Sequence, residues 1–230
     1  KSEFKFYLSR VSMNKVLKLL LNAFTYYLSK MFFKKKGLIV IGSSQGLAFA
    51  DNSMFFYLWL LKENPKGEDY FWVTRSRDVY ESLNVKGYPC VRLYSIKGIW
   101  TVLRAEYSFV SHRISDIHEG LIGGSKIIQF WHGVPLRKIG FNGDWSLNTS
   151  KDKVKSLLYQ WFPFSYYMAC DILISSDAYT TSAFREAFRY SFRKQESIYE
   201  LGQPRYDYLC NDTKEFDENF HEEYLYLKRL

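Results

Sequence analysis

The amino-acid sequence predicts an α/β fold built on a doubly wound parallel sheet. From residue 38 onward, short apolar runs rich in Ile, Val, Phe and Tyr alternate with longer segments of helical periodicity. The runs are continuously apolar, which is typical of parallel strands buried on both faces. Apolar residues make up 47% of the chain and aromatic residues 19%, which is enough to form a substantial core.

The predicted strands and helices alternate in order along the chain. Strands are expected at 38–41, 70–73, 91–93, 107–110, 127–130, 171–174 and 197–201. Helices are expected at 52–62, 78–84, 96–104, 151–168 and 178–189. Since crossovers between parallel strands are right-handed, the loops that follow the strands gather at one edge of the sheet, where folds of this class bind ligands.

A basic arm precedes the first strand. Residues 1–36 hold nine of the 32 Lys and Arg residues but one acid, whereas the rest of the chain carries 23 residues of each sign. Apolar residues recur every three or four positions between Leu17 and Phe32, which predicts an amphipathic helix. Lys18 and Lys30 interrupt the run, so it is a poor transmembrane span. We expect the arm to lie in an anionic membrane interface; the alternative is a helix packed on the domain with solvated lysines.

Cysteine usage and charge disfavour several classes of protein. Cys90, Cys170 and Cys210 are odd in number and far apart, which argues against a disulfide framework or a structural zinc site and suits a reducing cytoplasm. Nothing in the sequence demands a metal or an organic cofactor. Because residues 37–230 carry no net charge and no RNP-like run, a nucleic-acid binder is also disfavoured.

The first predicted strand runs into the glycine-rich loop Gly42–Gly46. A loop of this kind can present backbone N–H groups to an anion, so Ser43 and Gly46 are candidate substrate contacts. The loop matches neither the P-loop nor the GxGxxG pattern, and a simple tight turn is the alternative.

A histidine follows the fifth predicted strand in segment 129–140, which has the sequence QFWHGVPLRKIG. His132 falls at the edge where a sheet of this kind binds ligands, and Gly133 and the proline after Val134 set a rigid turn. Arg137 and Lys138 follow within reach of a phosphate. A neutral imidazole whose pKa is lowered by nearby cations is suited to deprotonate a hydroxyl beside an anionic substrate. The alternative is a strand-end histidine with a structural hydrogen bond.

Two sequence blocks resemble motifs of a known family. Trp131–Gly140 resembles the Trp-His-Gly-x-Pro-Leu-(Lys/Arg)-Lys-x-Gly hallmark of the CDP-glycerol glycerophosphotransferases, which build teichoic-acid-like polyol-phosphate polymers. Leu201–Asp207 is similar to the Gly-x-Pro-Arg-x-Asp motif of that family, and the resemblance covers about residues 38–210. Further likenesses, in a strand-and-helix segment and in the loop after the first strand, lie at Ile174–Ser176, Gly46, Asp51 and Asn52.

The resemblance implies a fold, an activity and a set of site residues. Members of the family fold as two Rossmann-like domains with a cleft between them, the GT-B arrangement. They transfer glycerol phosphate, or ribitol phosphate in close relatives, from a CDP-activated donor to a polymer hydroxyl and release CMP. They act on lipid-linked acceptors at the cytoplasmic face of the cell membrane. His132 takes the position of the proposed general base of the family, and the remaining candidate substrate contacts are Gly133, Arg137, Lys138, Gly202, Pro204, Arg205, Asp207, Ser43 and Gly46.

Arg205 is the preferred source of positive charge for the donor phosphates. Pro204 fixes its backbone, and Asp207 is expected to orient its guanidinium. The chain departs from the family pattern at two positions that affect the polar contacts of these loops. Val134 stands where the family often has threonine, and Tyr206 stands where asparagine is common.

The expected organisation has three parts. Residues 1–36 form the basic arm, residues 37–210 the Rossmann-like acceptor-side domain, and residues 211–230 a linker or the start of a donor-binding domain. Since the second half of the family pattern is absent, we expect an N-terminal piece that is inactive by itself. Two rival functions stay open: a GT-B glycosyltransferase that uses a nucleotide sugar, and a non-catalytic scaffold at the membrane surface.

Other polar residues are expected to have structural roles. His112 and His118 follow the fourth predicted strand with a spacing that does not fit a helical metal pair, and a structural or solvated role is favoured for both. Asp177 is expected to cap a helix. His221 is expected to be exposed in the acidic tail.

Overall fold

The computed structural model describes residues 13–64, 69–140, 170–189 and 197–210. Within these ranges the strands are β1 (Lys35–Gly42), β2 (Tyr70–Thr74), β3 (Cys90–Arg92), β4 (Ala105–Val110), β5 (Lys126–Gln129), β6 (Ile172–Ser175) and β7 (Ile198–Glu200). The helices are α1 (Met13–Ser29), α2 (Asp51–Glu63), α3 (Arg77–Val85), α4 (Ile96–Arg104), α5 (Ala178–Ala187) and α6 (Pro204–Cys210). Short 3-10 turns at Ser44–Gly46 and Ile114–Asp116 follow β1 and β4.

The seven described strands lie in one parallel sheet, in the order β3-β2-β1-β4-β5-β6-β7. The chain moves outward from β1 to β3, crosses to the other side of β1 and continues to β7, so the winding direction reverses between β1 and β4. The predicted doubly wound parallel sheet is therefore confirmed, and each predicted strand overlaps an observed one. Doubly wound sheets bind ligands where the winding reverses, at the carboxyl ends of the strands.

Both faces of the sheet are buried. Val40 and Val73 belong to one core cluster, whereas Ile41 and Trp72, their immediate neighbours in β1 and β2, belong to the cluster on the opposite face. Successive residues of a strand point to opposite faces, so a strand covered by helices on both sides is apolar at most positions. This is why the strands could be recognised as continuous apolar runs. The buried polar exceptions, which include Ser108 in β4 and Gln129 in β5, are hydrogen-bonded.

Two differences separate the observed helices from the predicted ones. The predicted helix at 151–168 lies outside the described residues, as do the segments 1–12 and 211–230. The sequence does not predict α6, which has seven residues and packs on α2, where the ring of Tyr208 lies 5.1 Å from that of Phe55. Tertiary packing stabilises a helix too short to be stable or recognisable by itself.

Helix α1 contacts the rest of the domain through its polar side. Tyr26 and Ser29 are buried, and a side chain added at Gly120 or Gly123 would clash with Thr25 or Tyr26. The exposed large apolar residues of α1 and the turn after it are Leu17, Leu20, Leu21, Phe24, Tyr27, Leu28, Met31 and Phe33. This orientation is the reverse of the usual one, in which the apolar stripe of a helix faces the core. Across the described ranges, no helix has the length and apolar character needed to cross a membrane.

Lys34 attaches the end of α1 to the domain. Its ammonium donates to the carbonyl oxygens of Leu103 and Gly123, both at 2.7 Å, and to the last carbonyl of α1 at 3.4 Å. Lys35 forms an ion pair with Asp69 at 2.6 Å. Two of the three lysines that close the basic arm thus make contacts within the fold, and the expectation that the arm meets an external anion stays a prediction.

We expect Lys34→Met to loosen α1 from the domain. Methionine keeps the length of the side chain but leaves the carbonyl groups of Leu103 and Gly123 without their charged donor. This loss should lower the free energy of unfolding by about 2 kcal/mol. Urea denaturation would measure this change, and limited proteolysis would report cleavage within α1. Lys36→Met is the matched control because Lys36 is exposed. Equal stability of the two variants would contradict the anchoring role of Lys34.

Candidate active site

Several segments at the carboxyl edge of the sheet bring polar side chains together. Asp51 begins α2 after β1, His112 follows β4, His132 follows β5, and Arg205 lies in α6 after β7. Because β1, β4 and β5 are neighbours in the sheet, these side chains meet at the point where the winding reverses. Together with Asp116 from the second 3-10 turn, they form what we call the polar cluster.

The two histidines of the polar cluster stack on each other. The ring centroids of His112 and His132 are 4.7 Å apart, with 19° between the ring planes. The His132 ring also stacks with the indole of Trp131, at 4.2 Å and 28°. Trp131 has a left-handed backbone conformation (φ 64°), which is costly for a residue with a large side chain. Ring contacts of its indole with Phe184 and Phe188 hold this conformation and fix the start of the histidine loop.

Asp116 is a fully buried carboxylate that organises the loop after β4. Its Oδ2 accepts backbone N–H groups of Ser111, His112 and Arg113 at 3.1, 2.7 and 3.3 Å. Its Oδ1 accepts the N–H of Gln45, from the loop after β1, at 2.9 Å. Four backbone donors therefore compensate the burial of this charge, as a buried carboxylate requires.

His112 lies between two carboxylates. Its Nε2 is 3.3 Å from Oδ2 of Asp51, and its Nδ1 is 3.6 Å from Oδ2 of Asp116, which is long for a hydrogen bond but close for a charge interaction. The contact with Asp116 is the main cause that raises the pKa of His112, and the charge of Asp51 adds to it. Burial and the neighbouring Arg113 act in the opposite direction.

His132 has the opposite shift. Burial is the main cause that lowers its pKa, and the positive charges of His112 and Arg205 lower it further against the opposing effect of Asp51 and Asp116. The lowered pKa predicted for this histidine is confirmed in direction. The predicted cause was wrong, because burial and these two neighbours take the place of the two cations that follow in the sequence.

Those two cations, Arg137 and Lys138, lie beside a different feature. They line a cavity of about 250 Å³ between the histidine loop and α5, together with the exposed side chains of Leu136 and Tyr179. Gly133, at the start of this loop, has an open environment around its Cα. The cavity is thus a separate surface from the polar cluster around His132.

Arg205 is held by α2. Its Nη2 donates to Oδ1 of Asp51 at 3.1 Å, and its Nε and backbone N–H donate to Oδ1 of Asn52 at 3.1 and 3.2 Å. Pro204 is the first residue of α6 and presets the backbone there. The expectation that Asp207 orients the guanidinium is wrong, because Asp207 is exposed and Asp51 and Asn52 take that role.

Asn52 joins the two sequence motifs. It is fully buried, and its Nδ2 donates to the carbonyl of Trp131 at 2.8 Å and to Oε1 of Gln203 at 3.1 Å. Gln203 precedes α6 and is also buried, whereas Gly202 before it has φ 81° and donates its N–H to the carbonyl of Ser175 at 3.1 Å. One side chain therefore fixes the histidine loop and the Pro-Arg loop relative to each other.

The glycine-rich loop after β1 binds an anion of the protein itself. Ser44, Gln45 and Gly46 all have positive φ (48°, 58° and 75°), a conformation that directs backbone N–H groups inward. The N–H of Gln45 goes to the Asp116 carboxylate, and the N–H of Gly46 goes to the carbonyl of Ser43 at 2.7 Å. The carbonyls of this loop accept from Thr74 and Arg75. This part of the loop serves to position Asp116.

The other polar residues considered from the sequence are His118, Asp177 and His112. Nδ1 of His118 accepts the backbone N–H groups of Gly120 and Leu121, so its predicted structural role is confirmed. Asp177 accepts from the N–H of Thr180 at 2.8 Å and caps α5 as predicted. His112, for which a structural or solvated role was also expected, lies in the polar cluster between Asp51 and Asp116, and its role stays a prediction.

Some candidate residues are not described, and others were recognised only in the structure. His221 lies outside the described residues. Among the residues that the structure describes, no group of three or more His, Cys, Asp and Glu side chains is arranged to hold a metal ion. Sequence reasoning did not single out Asn52 and Gln203 as residues of the polar cluster; the one available signal was the place of Asp51 and Asn52 in the loop after the first strand. Asp116 was expected only to lie on the same face as His112.

The fold and the site define a Rossmann-like α/β domain with a histidine-bearing polar site at the switch point of its sheet. The chain belongs to the CDP-Glycerol:Poly(glycerophosphate) glycerophosphotransferase family, whose model matches residues 24–227. The resemblance inferred from the His132 and Arg205 motifs is thereby confirmed.

Relatives of known name agree with this family. The chain is 26% identical over 193 residues to the teichoic acid poly(glycerol phosphate) polymerase of Bacillus subtilis, with 81% of this chain and 24% of that protein covered. It is 28% identical over 191 residues to the teichoic acid glycerol-phosphate transferase of Staphylococcus aureus, with 78% and 44% covered. The solved structure of the wall teichoic acid polymerase TagF matches with a TM-score of 0.58 and 22% identity, over 93% of this chain and 50% of that one, which shows a shared fold. The chain thus spans about half, or less, of these proteins.

Proposed function

We propose that this chain carries the acceptor side of an enzyme that transfers glycerol phosphate from CDP-glycerol to a hydroxyl of a teichoic-acid-like or capsular polymer. The observation that carries the proposal is the partly exposed His132 imidazole, which has a lowered pKa and lies beside Arg205 at the carboxyl edge of the sheet. The names of the family and of its members supply the class of donor and polymer. One structure of TagF was determined after a soak with CDPG, which supports a CDP-activated donor.

In the proposed reaction, His132 acts as the general base on the acceptor. Its neutral imidazole accepts the proton of the acceptor hydroxyl while the oxygen attacks the phosphorus that bears the glycerol. The phosphoanhydride bond breaks, and CMP leaves with the electron pair of that bond. A base with a lowered pKa is neutral at physiological pH and ready to accept this proton. CDP-ribitol is the second donor to test, since its reacting bond is the same.

Arg205 is proposed to neutralise charge on the donor phosphates. A guanidinium has five N–H donors, and the contacts with Asn52 and Asp51 use the Nε and Nη2 groups of Arg205. These contacts fix the plane of the guanidinium, so its remaining donors can be preorganised toward a phosphate. The other proposed substrate contacts are Gly133, Arg137, Lys138, Gly202, Pro204 and Asp207. Ser43 and Gly46 are buried, and the N–H of Gly46 donates to the carbonyl of Ser43, so we do not include them.

We further propose a two-domain GT-B arrangement for the parent protein that contains this chain. The matched relatives are about twice as long or longer, and the chain covers 50% of the solved TagF chain and 24% to 44% of the two named relatives. In this proposal residues 37–210 form the acceptor-side domain, and the donor nucleotide binds mainly to a further domain. Turnover is therefore expected from the parent protein and not from these residues alone.

The proposed function is tested by donor use. The parent protein would be given radiolabelled CDP-glycerol, CDP-ribitol or a nucleotide sugar together with a lipid-linked acceptor, and label in the polymer would be counted. Label from CDP-glycerol or CDP-ribitol supports the proposal. Label from the nucleotide sugar alone would indicate a GT-B glycosyltransferase, and no label from any donor would favour a non-catalytic scaffold.

The protein is also proposed to bind peripherally to the cytoplasmic face of the cell membrane through α1. The side of this helix that faces away from the domain is apolar, and Phe24 and Leu21 are 66% and 59% exposed. Residues 1–36 carry a formal excess of positive charge, which would favour an anionic lipid surface. A lipid-linked acceptor would be presented at the same surface.

The double variant Leu21→Glu/Phe24→Glu is expected to bind phosphatidylglycerol vesicles about tenfold or more weakly than the unmodified chain, because two buried apolar contacts with lipid are replaced by charges. Co-sedimentation with vesicles of phosphatidylglycerol and of phosphatidylcholine would measure it. Val85→Glu, at an 87% exposed position of α3, is the control for the added charge. Equal binding by both variants would contradict the role of α1.

A further inference from the structure

Hydrogen bonds to its backbone hold His112 in the polar cluster. The amide of Gln129 in β5 donates to the carbonyls of Ser111 and His112 at 3.1 and 2.9 Å. On the other side of the same peptide units, Asp116 accepts the N–H groups of Ser111 and His112. The backbone that carries the imidazole is therefore held from both sides by buried groups, which fixes where the side chain of His112 begins.

The charges that face the His112 ring come from several elements. Asp51 at the start of α2 lies 3.3 Å from its Nε2, and Asp116 in the 3-10 turn lies 3.6 Å from its Nδ1. Arg113, the next residue in the chain, is the opposing cation. Two carboxylates against one arginine favour the protonated form of this imidazole.

Asp51 and Asp116 also act on His132, but here the positive charges of His112 and Arg205 oppose them. His132 is partly exposed, its ring stacks with the neutral indole of Trp131, and the cation of Arg205 is nearby. Its stacked neighbour at 4.7 Å is His112. Two imidazoles at this separation repel each other when both are charged, so the pair holds one proton more readily than two.

We propose that His112 is a positioning residue for His132: held as an imidazolium between Asp51 and Asp116, it keeps the stacked His132 ring in the neutral, proton-accepting form. The inference rests on the proposed function, in which His132 is the base. It assigns a role to a second histidine that contacts no reacting atom. In this arrangement Asp116 stabilises the charged form of His112, and the loop after β1 holds Asp116 in position.

The test is an NMR titration of the side chains in 15N-histidine-labelled protein, with and without His112→Gln. Glutamine keeps a polar side chain but removes the charge, so the titration midpoint of His132 is expected to move to higher pH. His118→Gln, which removes a histidine whose Nδ1 accepts backbone N–H groups, is the matched control and should leave the midpoint of His132 unchanged. Asp51→Asn provides a second, independent variant: the midpoint of His112 should fall because one of its two carboxylates is lost.

Two results would overturn the proposal. One is an unchanged His132 midpoint in a folded His112→Gln variant; the other is a wild-type titration in which His132 binds its proton at higher pH than His112. In the parent protein, the acid limb of the pH–rate profile should move to higher pH in His112→Gln. Because the NMR titration needs no turnover, it decides the coupling of the two rings even if the proposed transfer reaction proves wrong.

Discussion

Replacing His132 with alanine should lower glycerol phosphate transfer by the parent protein by about 100-fold or more. The expected loss is the contribution typical of a positioned general base. The His132 ring stacks with the rings of Trp131 and His112, which hold the imidazole in place. Alanine at this position therefore removes a positioned base. Initial rates with a lipid-linked acceptor and saturating CDP-glycerol would measure kcat, since the base acts in the chemical step.

The His132→Ala result needs two controls. His118→Ala removes a histidine of the same domain whose ring accepts N–H groups from its own loop, and it should retain transfer provided that the protein is folded. Far-UV circular dichroism and thermal unfolding of both variants would separate loss of chemistry from loss of structure. A folded His132→Ala protein with wild-type kcat would exclude His132 as the base while leaving the family assignment intact.

Asp116→Ala is expected to be the most destabilising single substitution in the site, with a loss of about 3–5 kcal/mol in the free energy of unfolding. The variant removes the acceptor of four buried backbone N–H groups, and each donor left unpaired in the interior costs about 1–3 kcal/mol before relaxation. A loss of this size is a large fraction of the stability of a typical domain. Urea denaturation followed by tryptophan fluorescence would measure it.

The control for Asp116→Ala is Asp69→Ala. Asp69 is also a carboxylate in an ion pair, with Lys35 at 2.6 Å, but both side chains are nearly half exposed. Pairs of this kind contribute about 0–1 kcal/mol, so the control should unfold close to the wild-type midpoint. If the two variants lost the same stability, the four N–H contacts of Asp116 would have no special role.

The strands were predictable because their signal is local. A parallel strand covered on both faces is apolar at most positions, as Val40-Ile41 in β1 shows, and such runs are visible in sequence. Helix α4 was predicted with its observed bounds because Ser95 caps it and its apolar residues recur at helical spacing. Helix α6 was not predictable, since it depends on packing against α2.

The site was predictable only where a motif marks it. His132 and Arg205 stand in recognisable motifs, so their importance could be inferred without knowing their neighbours. The partners of these residues could not be found in the same way. Asn52 forms hydrogen bonds to groups 79, 151 and 153 positions away in sequence. Asp116 mainly accepts backbone N–H groups, which are the same in almost every residue type and therefore leave no mark in the sequence. Buried polar residues of this kind look like ordinary loop and helix-cap residues until the fold is known.

The contacts of Asn52 also set the order in which the site can be completed during synthesis. The chain emerges from the ribosome amino end first, so β1 and α2 are available long before Gln203 and Arg205. Contacts of such high sequence separation form late, after the entropic cost of closing the intervening chain has been met. Until the last described helix docks, the guanidinium of Arg205 is missing and Asn52 lacks two of its partners. A nascent chain released before residue 205 would therefore display most of the sheet but hold an unfinished polar cluster.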